Sequence, residues 1–193
     1  MANAGASDTR TDEDLMVSYQ SGDRGAFEEL YARYAKQIHN FHRRAAARSE
    51  AADDLLQQTF LKLHTGRRRY RPDAPFRHWI FTIARNVLRD DGRQRRRRIS
   101  VDVQEFDERA PSNVEGHARN ARPEVGLIVT EQLGILPLTQ REVIVLSRYQ
   151  GMRYAEIGEL LGISENAVKQ RAFQGMQKLR RSLSVVETQV GEP

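Results

Sequence analysis

Between Ser164 and Lys178 the chain carries side chains suited to reading the edges of DNA bases. Asn166, Lys169, Gln170 and Phe173 fall on faces other than the apolar positions Val168, Ala172, Met176 and Leu179, which recur every three or four residues. An Asn or Gln amide can pair bidentately with adenine, a Lys can donate to guanine, and a Phe ring can contact a thymine methyl. Gln174 extends the same polar side, and Ser164 is a good N-cap ahead of it. Arg148, Arg153 and Lys178 suit phosphates. For Arg171 a phosphate contact and a structural ion pair both stand.

A second constellation is basic and aromatic. Arg69, Tyr70 and Arg71 lie in the run Arg67 to Pro75, and Arg77, Asn86, Arg89, Arg93, Arg95 and Arg96 follow it. Cations near a helix C-terminus suit its dipole, so part of this cluster has a structural reading. Four consecutive arginines, Arg95 to Arg98, exceed what capping needs and point to a nucleic-acid patch. Trp79 falls within an apolar stripe and reads as core rather than as a base-stacking ring.

Catalytic chemistry finds little footing. There is no cysteine, so disulfides, thiolate metal sites and a thiol nucleophile are excluded. His39, His42, His64, His78 and His117 lack metal-ligand spacing. The pairs Asp53/Asp54 and Asp90/Asp91 read as surface acids, and no phosphate-binding glycine loop or nucleophile motif appears. The expectation is a protein that is not an enzyme and needs no cofactor.

These residues must be positioned by helices. The chain has 193 residues, 39% hydrophobic and 30% charged, with net charge +5. This composition fits two small cores better than one large one. Helical periodicity dominates. One stripe holds Phe27, Leu30, Tyr31, Tyr34, Ile38 and Phe41. Another holds Leu55, Leu56, Phe60 and Leu63. A third holds Phe76, Trp79, Ile80, Ile83, Ala84, Val87 and Leu88, with Pro75 suited to its first turn. Residues 1–14 read as a polar tail, 15–99 as the first domain, 100–123 as a flexible linker rich in acids, 124–183 as the second domain and 184–193 as a tail. The spacing predicts an all-α chain. Thr139-Gln140-Arg141-Glu142 reads as a capping box, Gly151 as a helix end, and Gly162 as the left-handed turn of a helix-turn-helix. No apolar run is long enough for a membrane span, and no basic-then-apolar leader opens the sequence. A cytoplasmic protein without membrane insertion is expected.

Residues 137 to 181, PLTQREVIVLSRYQGMRYAEIGELLGISENAVKQRAFQGMQKLRR, resemble the DNA-binding domain of extracytoplasmic-function bacterial sigma factors. GDRGAFEELYARY (22 to 34), DDLLQQTFLKLH (53 to 64) and FRHWIFTIARNVLRDDGRQRRRR (76 to 98) are similar to successive pieces of that family's first domain, in order. There are departures: Gln58 stands where Glu is frequent, Gln170 where Ser is, Ala172 where a larger apolar residue is, and Gln174 where Arg is.

The resemblance implies a transcription-initiation factor with core RNA polymerase and promoter DNA as partners. Asp54, Gln57, Gln58 and Leu61 would dock on a coiled-coil of the polymerase largest subunit. The flap of the second-largest subunit would be a further contact. The basic constellation would capture the melted −10 strand, and the helix-turn-helix would read the −35 duplex. The linker would pass toward the polymerase cleft, its acids mimicking nucleic acid. An anti-sigma factor would be a regulator. On residue patterns alone, the Asp54–Leu61 face reads as ordinary solvated helix. A stand-alone helix-turn-helix regulator is the rival reading.

Overall fold

The computed structural model describes residues 10–46, 51–103, 130 and 132–190, and every regular element among them is helical. The first, α1 (Asp12–Gln20), opens on a capping box: the Asp14 amide donates to the Thr11 hydroxyl at 3.1 Å, and the Asp14 carboxylate accepts from the Thr11 amide. Helix α2 (Arg24–Ala45) starts at Asp23, whose carboxylate accepts from the Ala26 amide at 3.2 Å. Helix α3 (Ala52–Gly66) runs into a 3₁₀ turn at Arg67–Arg69, and α4 (Phe76–Val103) follows.

These four helices enclose a core in which Leu30, Ile38, Phe41, Leu63 and Ile80 are fully buried. Each such side chain contributes roughly 1.5–3 kcal/mol relative to exposure. The predicted stripes supply most of it. Other contributions lie outside those stripes. Phe81 sits just off the third stripe yet is fully buried, edge-on to Phe41 with ring centroids 5.7 Å apart. Leu15, Met16 and Tyr19 of α1 are buried as well.

The boundary at residue 14 is therefore corrected. Arg10 to Asp14 belong to the folded unit. Arg33 donates to Asp12 at 2.6 Å, the Tyr34 hydroxyl also donates to Asp12, and Glu13 accepts from the Phe76 amide at 2.8 Å. Glu13 thus satisfies an amide at the start of α4 that helix geometry leaves without an internal partner. The boundary at 99 is corrected too, because α4 continues through Val103. Most of the expected linker lies outside the described residues.

In the second half, α5 (Leu138–Ile144) widens into a π-helical turn at Val145–Tyr149, where the Gln150 amide donates to the Val145 carbonyl five residues back. Gly151, at φ +64°, turns the chain out of it as expected. Helices α6 (Tyr154–Leu161) and α7 (Glu165–Val190) flank Gly162, whose φ of +67° is the left-handed conformation anticipated for the turn. Ser164 caps α7 by accepting from the Ala167 amide at 3.2 Å. Gly158 carries no such sequence signal, yet a Cβ there would sit 2.8 Å from the Ile163 carbonyl oxygen, so the turn folds back against bare backbone.

The capping box at Thr139 does not form. The helix begins earlier, at Leu138 behind Pro137, with no side-chain cap. This leaves Glu142 past the first turn, on the inner face and fully buried. Its partners come from the other half of the chain.

Candidate nucleic-acid and polymerase interfaces

The helix-turn-helix presents α7 with its apolar side down. Val168 and Ala172 are buried, and Met176 and Leu179 pack against the core. Asn166, Lys169, Gln170, Gln174 and Lys178 are exposed, and Phe173 is 62% exposed. An open phenyl ring amid amides and a cation gains nothing from burial within this chain. Lys169 pairs with Glu165 at 2.7 Å, and Gln174 accepts from the Gln140 side chain at 3.2 Å. Ser164 is engaged as the cap. Arg148, in the π-helical turn, and Arg153, at the start of α6, are exposed, with Arg153 beside Glu156 at 3.1 Å. Arg171 is half-buried.

On α3, Asp54, Gln57 and Gln58 are exposed and Leu61 is 62% exposed, so the four share an open face as predicted. Above Phe60, the Tyr31 ring lies 4.7 Å from its centroid and is itself partly open.

The basic constellation divides. Arg69 and Arg71 are exposed on the loop between α3 and α4. Asn86, Arg89 and Arg93 line one hollow between α3 and α4, closed on one side by a Lys62–Asp90 pair at 2.8 Å. Arg96 is exposed, and Arg95 pairs with Asp91 one turn back. Tyr70 requires correction as a strand-stacking ring. It is 4% exposed, packed 5.1 Å from Trp79 and 6.0 Å from Phe76, and its hydroxyl donates to the Ala74 carbonyl at 2.7 Å. Burial, reinforced by Glu13 and Asp12, pushes its hydroxyl pKa up to about 12. Tyr70 is the anchor of the loop, and Trp79 packs on it.

Arg77 and Arg89, expected on the −10 strand, are half-buried. Both turn toward the second half of the chain. Arg77 donates to the Gln150 carbonyl. Arg89 makes two contacts with the Glu142 carboxylate, at 3.1 and 3.3 Å, and Arg85 approaches the same group at 3.9 Å. The Arg85 side chain is only 12% exposed, and burial pulls its pKa below the ordinary guanidinium value, with Glu142 opposing that shift. Further contacts join the halves: Arg141 donates to the Ala45 carbonyl at 3.0 Å, and the Arg44 guanidinium stacks 4.3 Å from the Tyr149 ring centre. Residue patterns could not reveal these pairings, because the partners are distant in sequence.

A helix-turn-helix packed against a four-helix unit, the two sharing one continuous apolar core, defines a two-part all-helical protein with open polar faces on both parts. Comparison with known proteins refines that class. Residues 30–98 match the family model "Sigma-70 region 2", and residues 127–179 match "Sigma-70, region 4". The chain is 35% identical over 175 residues to the RNA polymerase sigma factor CarQ of Myxococcus xanthus, covering 91% of this chain and 99% of CarQ. It is 31% identical over 181 residues to the ECF RNA polymerase sigma factor SigM of Mycobacterium tuberculosis, covering 94% and 89%. Its fold is similar to that of CnrH solved in complex with the cytosolic domain of CnrY, with TM-score 0.68, 27% identity, and coverage of 90% and 97%. The chain belongs to the extracytoplasmic-function sigma factors, which are transcription-initiation factors.

Proposed function

We propose that this sigma factor engages core RNA polymerase through Asp54, Gln57, Gln58 and Leu61, reads a −35 duplex with α7, and holds the melted −10 strand along the α3–α4 loop and α4. The observation that carries this reading is the open row of Asn166, Lys169, Gln170 and Phe173 on a helix whose opposite side is buried. Such a row fits a major groove, where amide, ammonium and ring groups meet distinct base edges. Arg148, Arg153, Arg171, Gln174 and Lys178 would flank it, with Ser164 fixing the helix start that faces the DNA. Arg69, Arg71, Asn86, Arg93, Arg95 and Arg96 would follow the single strand, joined by Arg77 and Arg89 once the halves separate. Cationic side chains beside a groove track a strand's phosphates without reading sequence.

The partners are the coiled-coil of the polymerase largest subunit, the flap of the second-largest subunit, and promoter DNA. A regulatory protein is a further partner, by analogy with CnrH, which was solved with the cytosolic domain of CnrY. Its site of action is the cytoplasm, on the nucleoid when bound to polymerase. Among the described residues, no helix is long and apolar enough to cross a membrane.

The decisive experiment combines the full chain with bacterial core polymerase on a library of genomic fragments. Promoter-specific transcripts that vanish on replacing Leu61 and Gln57 with Asp support the reading. Tight duplex binding without polymerase, and no transcript with it, would favour a stand-alone regulator.

A further inference from the structure

The loop between α3 and α4 is gripped from α1. The Gln20 amide nitrogen donates to the Arg67 carbonyl at 2.7 Å and to the Tyr70 carbonyl at 2.9 Å, so both its hydrogens are committed to the two ends of one 3₁₀ turn. Below the turn, Tyr70 is locked to Ala74, and Glu13 accepts from Phe76 where α4 begins. The turn therefore holds its shape while Arg68, Arg69 and Arg71 stay exposed. We infer that Gln20 is a positioning residue for strand capture: it touches no DNA but sets where the loop arginines stand. This rests on the loop's assignment to the −10 strand, and the test separates the two.

Holoenzyme reconstituted from the full chain would be titrated with fluorescent oligo(dT) across a salt series, with core polymerase alone as baseline. Replacing Gln20→Leu keeps the size and removes both donors. Its expected effect is weaker binding, with the salt slope shallower by about 0.7 for each phosphate that the arginines no longer neutralise. A general loss of stability would lower the melting temperature without changing that slope. Wild-type slope and affinity in Q20L would overturn the inference. The pair R69E/R71E tests the loop itself: if it leaves the slope unchanged, the assignment fails and the role of Gln20 with it.

Discussion

His42 donates from Nε2 to the Thr59 hydroxyl across 2.9 Å, and that hydroxyl in turn donates to the Leu55 carbonyl at 2.7 Å. Since Thr59 spends its one proton on Leu55, it can only accept from His42. Nδ1 is buried without a hydrogen-bond partner, so a neutral ring leaves it bare, whereas a charged ring would bury an unpaired N–H there. Burial, aided by His39, holds the His42 pKa down to about 3. The unfolded ring takes up a proton below about 6.5, so this group's stability contribution is complete above that pH and is lost as pH falls toward 3. Urea midpoints of wild type and H42Q, measured from pH 7 to 4.5, should diverge. The wild type should lose up to about 1.4 kcal/mol per pH unit more than the variant. Parallel curves would contradict the buried neutral ring.

Two glycines of the helix-turn-helix should fail for different reasons. At Gly158 an added methyl meets the Ile163 carbonyl oxygen at 2.8 Å, and backbone cannot step aside as a side chain would. G158A should cost about 1–3 kcal/mol by overpacking and weaken duplex binding, because the turn that aims α7 must shift. At Gly162 nothing lies within 4 Å, and only the backbone conformation at φ +67° is at stake. G162A should cost about 1–2 kcal/mol and leave duplex binding nearer wild type. Denaturant melts paired with duplex titrations of the polymerase-bound chain separate the two. Equal weakening of duplex binding in both variants would show that the close approach does not matter.

Glu13 should behave as a helix cap supplied from a distance. E13A removes the acceptor for the Phe76 amide and should destabilise the chain by about 0.5–2 kcal/mol. E13Q, which keeps a carbonyl oxygen, should recover part of that. A denaturation midpoint for E13A equal to that of wild type would mean the amide finds water instead.

On α7, Gln170→Ala should change preference at one base position by about 1–3 kcal/mol, whereas Lys178→Ala should weaken binding to all sequences and reduce the salt slope by about 1. A selection from random duplexes, run with each variant holoenzyme, checks both. Identical selected motifs for wild type and Q170A would remove Gln170 from base reading.

Most of the fold is legible in the sequence because it is local. The stripe Leu30, Tyr34, Ile38 and Phe41 repeats at helical spacing and is buried as that spacing requires. Gly162, Ser164 and Val168 carry their turn, cap and core roles in their own chemistry. Helix α1 is harder to read because its acids resemble a solvated tail. Their meaning lies in Arg33, Tyr34 and Phe76, far along the chain. Glu142 misleads for the same reason: three residues after a threonine it looks like half of a capping box, and only the arrival of α4 shows otherwise. Tyr70 looks like a stacking ring because its neighbours are arginines. Composition around a residue does not tell which way its side chain turns.

The packing of Trp79 has a practical consequence. It is the only tryptophan in the chain, and it rests against Tyr70 and Phe76 beneath the 3₁₀ turn. Ultraviolet emission excited at the indole band therefore originates at this one spot. The protein carries its own optical gauge of the loop, readable without labels in the free chain and in its variants.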